Sequence, residues 1–174
     1  MKIDLYVDFD DVILNSIDVS YQRIHDMYGD SVTSEEASEF YQSINWNEFI
    51  HECTPINDSI HHLQKIIDSD YFNVTVLSHV LSSREALAKE EYLKECLPSI
   101  RFISVMKPNP KWKAVDCKNA ILIDDYSENL DLWREHGGIP IKFSLKDKKY
   151  DYVSIKSLDE ILDMYPVIKN KKYR

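Results

Sequence analysis

Three short stretches of the chain hold side chains able to do chemistry together. Val7-Asp8-Phe9-Asp10-Asp11 puts three carboxylates directly after an apolar run. Val74-Thr75-Val76-Leu77 leads into Ser78 and His79, and Ile121-Leu122-Ile123 leads into Asp124 and Asp125. An Asp pair after a strand is often only a turn or a helix cap. Two such pairs with a serine between them, all on strand ends, form a rarer pattern. In an open α/β sheet, ligands bind beyond the carboxyl ends of the strands, so the three stretches would meet at one rim. Carboxylates gathered there repel one another unless a hard cation neutralises them. An all-oxygen donor set suits magnesium, which takes one or two carboxylates together with phosphate oxygens.

The elements that must position these groups follow from hydrophobic spacing. Residues 2–7 read as a buried strand. Residues 16–28 read as a helix, with Ile17, Tyr21, Ile24 and Tyr28 recurring at three and four positions and Gly29-Asp30 stopping it. Thr33 or Ser34 can cap the next helix, with Glu36 completing a capping box. Short helices follow around 46–52 and 58–69. The pattern then alternates: strand 72–77, helix 82–97, strand 101–106, a Pro-rich loop from Lys107, strand 120–123, helix 127–136 closed by Gly137-Gly138, a strand from Pro140 to Phe143, and a last helix 157–165. Such alternation predicts an α/β fold with a doubly wound parallel sheet. The helix-only stretch 16–70 predicts a small helical cap inserted after the first strand, over a core made of 1–15 and 71–174.

Composition narrows the function classes. A chain of 174 residues with 44% apolar content can bury one full core. Three glycines and no GxGxxG or GxxxxGK[ST] pattern leave little room for a Gly-rich phosphate loop, so a phosphate-handling site would need side chains and a metal instead. The net charge of −9 disfavours nucleic acid as a partner, since its binders usually carry a basic excess. The basic run Lys169 to Arg174 reads as a solvated tail. Cys53, Cys96 and Cys117 are odd in number and widely spaced, which points to buried free thiols rather than a disulfide or zinc framework. No signal-peptide pattern and no membrane-length apolar run is present, so the expectation is a cytoplasmic protein with no membrane partner.

The three stretches also resemble the motifs of the haloacid-dehalogenase (HAD) superfamily. Val7-Asp8-Phe9-Asp10-Asp11-Val12-Ile13 is similar to its motif I, Val74 to Ser78 to its motif II, and Ile121 to Asp125 to its acidic motif IV. The order is the family's order, over about two thirds of the chain. The helical insertion and the Leu122-Ile123-Asp124-Asp125 ending look most like the 5′(3′)-deoxyribonucleotidase branch and its small bacterial and phage relatives. The resemblance implies a HAD-like fold and a phosphatase using Mg2+ through an aspartyl-phosphate. It implies Asp8 as nucleophile and Asp10 as acid and base. The metal ligands would be Asp8, the Asp10 backbone carbonyl and Asp124, with Asp125 ordering waters. Ser78 would donate to a phosphoryl oxygen. A lysine would offset the shared negative charge: Lys113, eleven residues before Asp124, is favoured over Lys107, which precedes Pro108, with Lys111 third. Asp11 stands where many members carry Gly.

A small phosphorylated substrate is implied, nucleoside monophosphates first. Phe40, Tyr41, Trp46 and Phe49 in the insertion could stack on a base, although small helices also need aromatics simply to pack. His79 is a further candidate beside Ser78, whereas adjacent His61 and His62 face different ways on a helix. The alternatives are a HAD phosphatase on a non-nucleotide ester and a receiver-like module phosphorylated on Asp. Dehalogenases lack the second motif I Asp, so Asp10 favours phosphoryl chemistry.

Overall fold

The computed structural model describes residues 2–172. The chain opens with strand β1 (Ile3–Val7), continues through helices α1 (Ser16–Tyr28), α2 (Ser34–Ser43), α3 (Trp46–Glu52) and α4 (Ser59–Asp68), and returns to the sheet in β2 (Phe72–Val80). Then follow α5 (Ser83–Cys96), β3 (Arg101–Met106), β4 (Ile121–Asp124), α6 (Ser127–Glu135), β5 (Ile139–Phe143), β6 (Val153–Ile155) and α7 (Glu160–Lys172). The six strands form one sheet in the order β3-β2-β1-β4-β5-β6, and every pairing is parallel. This α/β architecture is the expected doubly wound sheet. Its strand order differs from the 2-1-3-4-5 order of receiver domains.

Side-chain alternation along the strands feeds two cores. Ile3, Leu5 and Val7 of β1 and Ile121 and Ile123 of β4 pack to one face, in a cluster shared with Phe40, Phe49 and Ile50 of the helical segment. Leu77, Leu122, Leu130 and Trp133 pack to the other, with Tyr6 against them. The helices between β1 and β2 therefore have no separate core. Leu63 and Ile66 of α4 are buried in the same cluster, and α4 lies against β2. The Thr33–Glu36 capping box starts α2 as expected. Helix α3 is tied to α5: Asn47 donates to Glu91 at 3.3 Å, and His51 pairs with Glu95 at 3.0 Å.

Three elements depart from the sequence reading. β2 runs three residues past Leu77, carrying Ser78, His79 and Val80 into the ladder opposite Ser104, Val105 and Met106. The edge strand β6 was not expected; it is three residues long, and Val153 and Ser154 are exposed, so no apolar pattern marks it. Helix α7 passes through Pro166 and includes Lys169 to Lys172 of the basic run, whose last two residues lie outside those described. Cys53 and Cys117 are buried free thiols, whereas Cys96 is exposed at the end of α5. No helix among the described residues is long and apolar enough to cross a membrane.

Candidate active site

Strands β1 and β4 are neighbours at the centre of the sheet, while the chain moves away from them in opposite directions, to β2 and to β5. A crevice opens at such a switch point. Asp8 leaves β1 with its backbone N–H donating to Ile123 at 2.9 Å, and Asp124 ends β4 beside it. Oxygen atoms of Asp8, Asp124 and Asp125 all lie within 4.8 Å of one another. Asp8 is almost buried and Asp124 is fully so.

The lysine that enters this cluster is Lys111. Its ammonium lies 2.7 Å from Asp8 Oδ1 and 2.7 Å from Asp124 Oδ2. Asp8 Oδ1 is buried and faces this ammonium. Lys113, favoured from spacing, is exposed and sits with its ammonium 5.3 Å from the Trp112 ring centre. The reason is local. Lys111–Lys113 form a single 3-10 turn after Pro110, and residues two apart in such a turn point to different sides. Lys107 lies at the wall of the neighbouring cavity instead.

Asp124 is held from three sides. Its Oδ1 accepts from the Tyr126 N–H at 2.8 Å, and its Oδ2 accepts from Asn129 at 2.9 Å as well as from Lys111. Lys142 on β5 donates to the Asp125 carbonyl and, at 3.1 Å, to Ser127. Burial raises Asp8 well above the ordinary carboxylate range; Lys111 pulls it down, but Asp124, Asp10 and Asp125 push it up again. Burial, then the charge of Asp124, raises Asp125 to about 7. These are the marks of a site short of positive charge. The donors are all oxygens and converge, and the single Lys111 charge is shared between Asp8 and Asp124, so the residues fit a hard divalent cation.

Asp10 points elsewhere. Its Oδ1 accepts from Ser16 at 2.6 Å and its Oδ2 from Lys89 at 2.6 Å. Burial would raise it, but the Lys89 charge and these hydrogen bonds hold it below its ordinary value. Ser78 Oγ is fully buried, donates to the His79 carbonyl at 3.1 Å and accepts from Lys89 at 3.1 Å. Asp11 has φ of 52°, the left-handed region that Asp tolerates better than most residues. Its carboxylate accepts from the Ile17 N–H at 3.2 Å and so caps α1, whose N-cap residue Asn15 makes no side-chain cap bond. Burial raises Asp11 to about 6.

A cavity of about 130 Å³ adjoins Asp10. Tyr41, Trp46 and Phe49 of the helical segment line it, with Ser20, His79 and Lys107. The Tyr41 and Trp46 rings stack at 6.1 Å, Tyr41 donates to Ser20 at 3.1 Å, and the Trp46 indole N–H is buried without a partner. His79 donates from Nε2 to the Asn109 carbonyl at 3.0 Å, and burial lowers its pKa. Phe40 belongs to the same core cluster as Trp46 and Phe49 but does not line this cavity. Sequence reasoning missed Lys89. The signal available was Ser82-x-x-Glu85 followed by Lys89 at i+4, a capped helix start with an ion pair.

No family model matches the chain, and no curated protein matches it. Solved structures do. A haloacid dehalogenase-like family hydrolase from Streptococcus pneumoniae superposes with a TM-score of 0.69 at 14% identity, over 94% of this chain and 98% of the other. A HAD phosphatase from Thermococcus onnurineus gives 0.61 at 15% identity, over 94% and 97%. The HAD-hydrolase YfnB from Bacillus subtilis, solved bound to magnesium, gives 0.60 at 13% identity, over 95% and 100%. With its six parallel strands and its acidic crevice between β1 and β4, the chain has the fold of the HAD-superfamily hydrolases.

Proposed function

We propose that the protein is a magnesium-dependent phosphomonoesterase that works through an aspartyl-phosphate on Asp8, with nucleoside monophosphates as its favoured substrates. The observation that carries the reading is the buried Asp8 carboxylate, 2.7 Å from the Lys111 ammonium and among carboxylates that converge at the switch point. Asp8, Asp124 and Asp125 would hold the ion, together with the Asp10 backbone carbonyl. Bound there, magnesium would supply positive charge to the phosphoryl oxygens.

The chain's own groups account for the rest. Asp8 attacks phosphorus, the ester P–O bond breaks, and Asp10 gives its proton to the departing alkoxide. An incoming phosphate dianion raises Asp10 from its low resting value, since like charge favours the protonated form. Water then attacks the aspartyl-phosphate and leaves its proton on Asp10, restoring the Asp8 carboxylate and releasing phosphate. Lys111 balances the charge shared by nucleophile and phosphoryl group, in the role expected of Lys113, and Ser78 offers its hydroxyl to a phosphoryl oxygen. The helices over the site act as a cap. The cavity beside Asp10 is about the size that accepts one six-membered ring, and its aromatic wall suits a base or sugar ring. The same volume also suits a compact sugar phosphate, which is the second reading.

Phosphate release from deoxynucleoside 5′- and 3′-monophosphates and from sugar phosphates, with and without magnesium, tests both. Turnover should need magnesium and should disappear in Asp8→Asn with the fold intact. Full turnover in that variant would remove Asp8 as nucleophile; turnover on sugar phosphates alone would keep the mechanism and discard the nucleotide preference.

A further inference from the structure

One buried cation is left without work in this scheme. Lys89, on α5, has no exposed surface, and four oxygens surround its ammonium. They are Asp10 Oδ2 at 2.6 Å, Glu85 Oε1 at 2.7 Å, Ser78 Oγ at 3.1 Å and the His79 carbonyl at 3.2 Å. Removing a lysine from water costs several kcal/mol unless its donors are met. A methionine of similar length would pack α5 against the sheet without that cost. Lys89 is therefore a poor choice for packing and a good one for holding oxygens in place.

The holding is directional. Asp10 is gripped on both oxygens, by Ser16 of α1 on one and by Lys89 of α5 on the other. Glu85 anchors Lys89 in turn: its second oxygen accepts from the Leu81 N–H at 2.7 Å, while Ser82 caps the Glu85 N–H at 3.2 Å. The helix start thus fixes Glu85, Glu85 fixes Lys89, and Lys89 fixes Asp10 and Ser78. Glu85 and Lys89 together add no net charge to an already acidic site. Each of the two motif I aspartates has its own buried lysine, Lys111 for Asp8 and Lys89 for Asp10.

We propose that Lys89, braced by Glu85, is a positioning residue that holds the Asp10 carboxylate at the wall of the aromatic cavity and the Ser78 hydroxyl beside it. The proposal deepens the phosphomonoesterase reading and rests on it for its kinetic consequence. Proton donation matters most when the leaving group is a poor one, such as an alkyl alcohol, and little for a nitrophenolate. A loose Asp10 should therefore slow alkyl esters selectively.

The test compares an alkyl phosphomonoester with p-nitrophenyl phosphate in wild type and in Lys89→Met. The expected result is a fall in kcat on the order of 10²-fold for the alkyl ester and less than about tenfold for the aryl ester. KM should change little for either. Glu85→Gln/Lys89→Met leaves no unpaired Glu85 and serves if the single variant does not fold; Lys94→Met, exposed on the same helix, should behave as wild type. Equal loss on both esters, or loss on neither, would overturn the proposal. A crystal structure of the variant reads the positioning directly, whatever the substrate: an Asp10 side chain still fixed in the same orientation overturns it. Absence of any wild-type turnover, with Asp10 displaced in the variant, would instead count against the phosphatase reading alone.

Discussion

Lys111 is the residue on which the charge balance of the site turns. It lies between two carboxylates at 2.7 Å from each, and burial alone would depress an ammonium; instead Asp124 and Asp8 raise it above the ordinary lysine value. A cation so placed stays charged while a phosphate dianion binds. Lys111→Met should lower phosphatase kcat on the order of 10²–10³-fold, as loss of a charge-stabilising donor does. Lys113→Met should leave kcat and KM within about twofold, being an exposed substitution. Steady-state kinetics on the two variants, with circular dichroism to check folding, separates them. A large loss in Lys113→Met with Lys111→Met active would restore the choice made from spacing. The carboxylates and Ser78 were legible in the sequence because each ends an apolar strand run. The lysines were not ranked or found correctly: Lys111, placed third, is turned inward by a 3-10 turn that leaves no periodic trace. Lys89 sits in a helix whose charged composition reads as solvent-facing, and only the capped Glu85 beside it hints at burial.

Secondary elements were legible wherever a period or a breaker marked them. Helix α1 ends at Gly29, α5 ends before Pro98, and α6 ends at Gly137-Gly138, as their sequence breakers indicate. Strand β6 had no such mark, and neither did the extension of β2, whose last residues are set by pairing with β3 rather than by alternation. The turn after α6 carries more than a stop signal. A Cβ on Gly138 would stand 2.2 Å from the Trp133 indole and 3.0 Å from the Cys117 carbonyl. Trp133 is fully buried and donates to the Ala120 carbonyl at 3.0 Å, directly before β4. That indole therefore fixes the strand that delivers Asp124. Gly138→Ala should destabilise the fold by about 1–3 kcal/mol through overpacking. In thermal denaturation this amounts to a drop of roughly 2–12 °C for a domain of this size. An unchanged Tm would mean that the indole can move aside without cost.

At the scale of the molecule, the acidic crevice makes stability depend on pH and on magnesium together. The folded state holds a proton on Asp125 below its pKa of about 7, and burial among carboxylates raises Asp8 well above the ordinary range as well. The unfolded chain has lost both protons above about pH 4. Stability of the metal-free protein therefore falls as pH rises from the unfolded value toward the folded ones, by about 1.4 kcal/mol per pH unit for each proton difference, and levels off above them. Asp10 is shifted the opposite way, so its contribution is present above its unfolded value and is lost only in acid. His79, lowered by burial, favours the folded state as pH rises, but this is complete once pH passes its unfolded value of about 6.5. Between about pH 6.5 and 7.5 the raised carboxylates set the sign, and Tm in EDTA should fall by about 3–6 °C per pH unit for each full proton difference, a difference that for Asp125 has mostly closed by about pH 7.5. Magnesium binds the deprotonated carboxylates, so its stabilising effect should grow over the same range, reaching about 2.7 kcal/mol at one hundred times its Kd. Asp125→Asn should flatten the slope in EDTA, because it removes one of the titrating groups. Differential scanning calorimetry at both pH values, with EDTA and with magnesium, gives all three quantities. A magnesium effect of equal size at both pH values would mean that the ion binds away from the crevice.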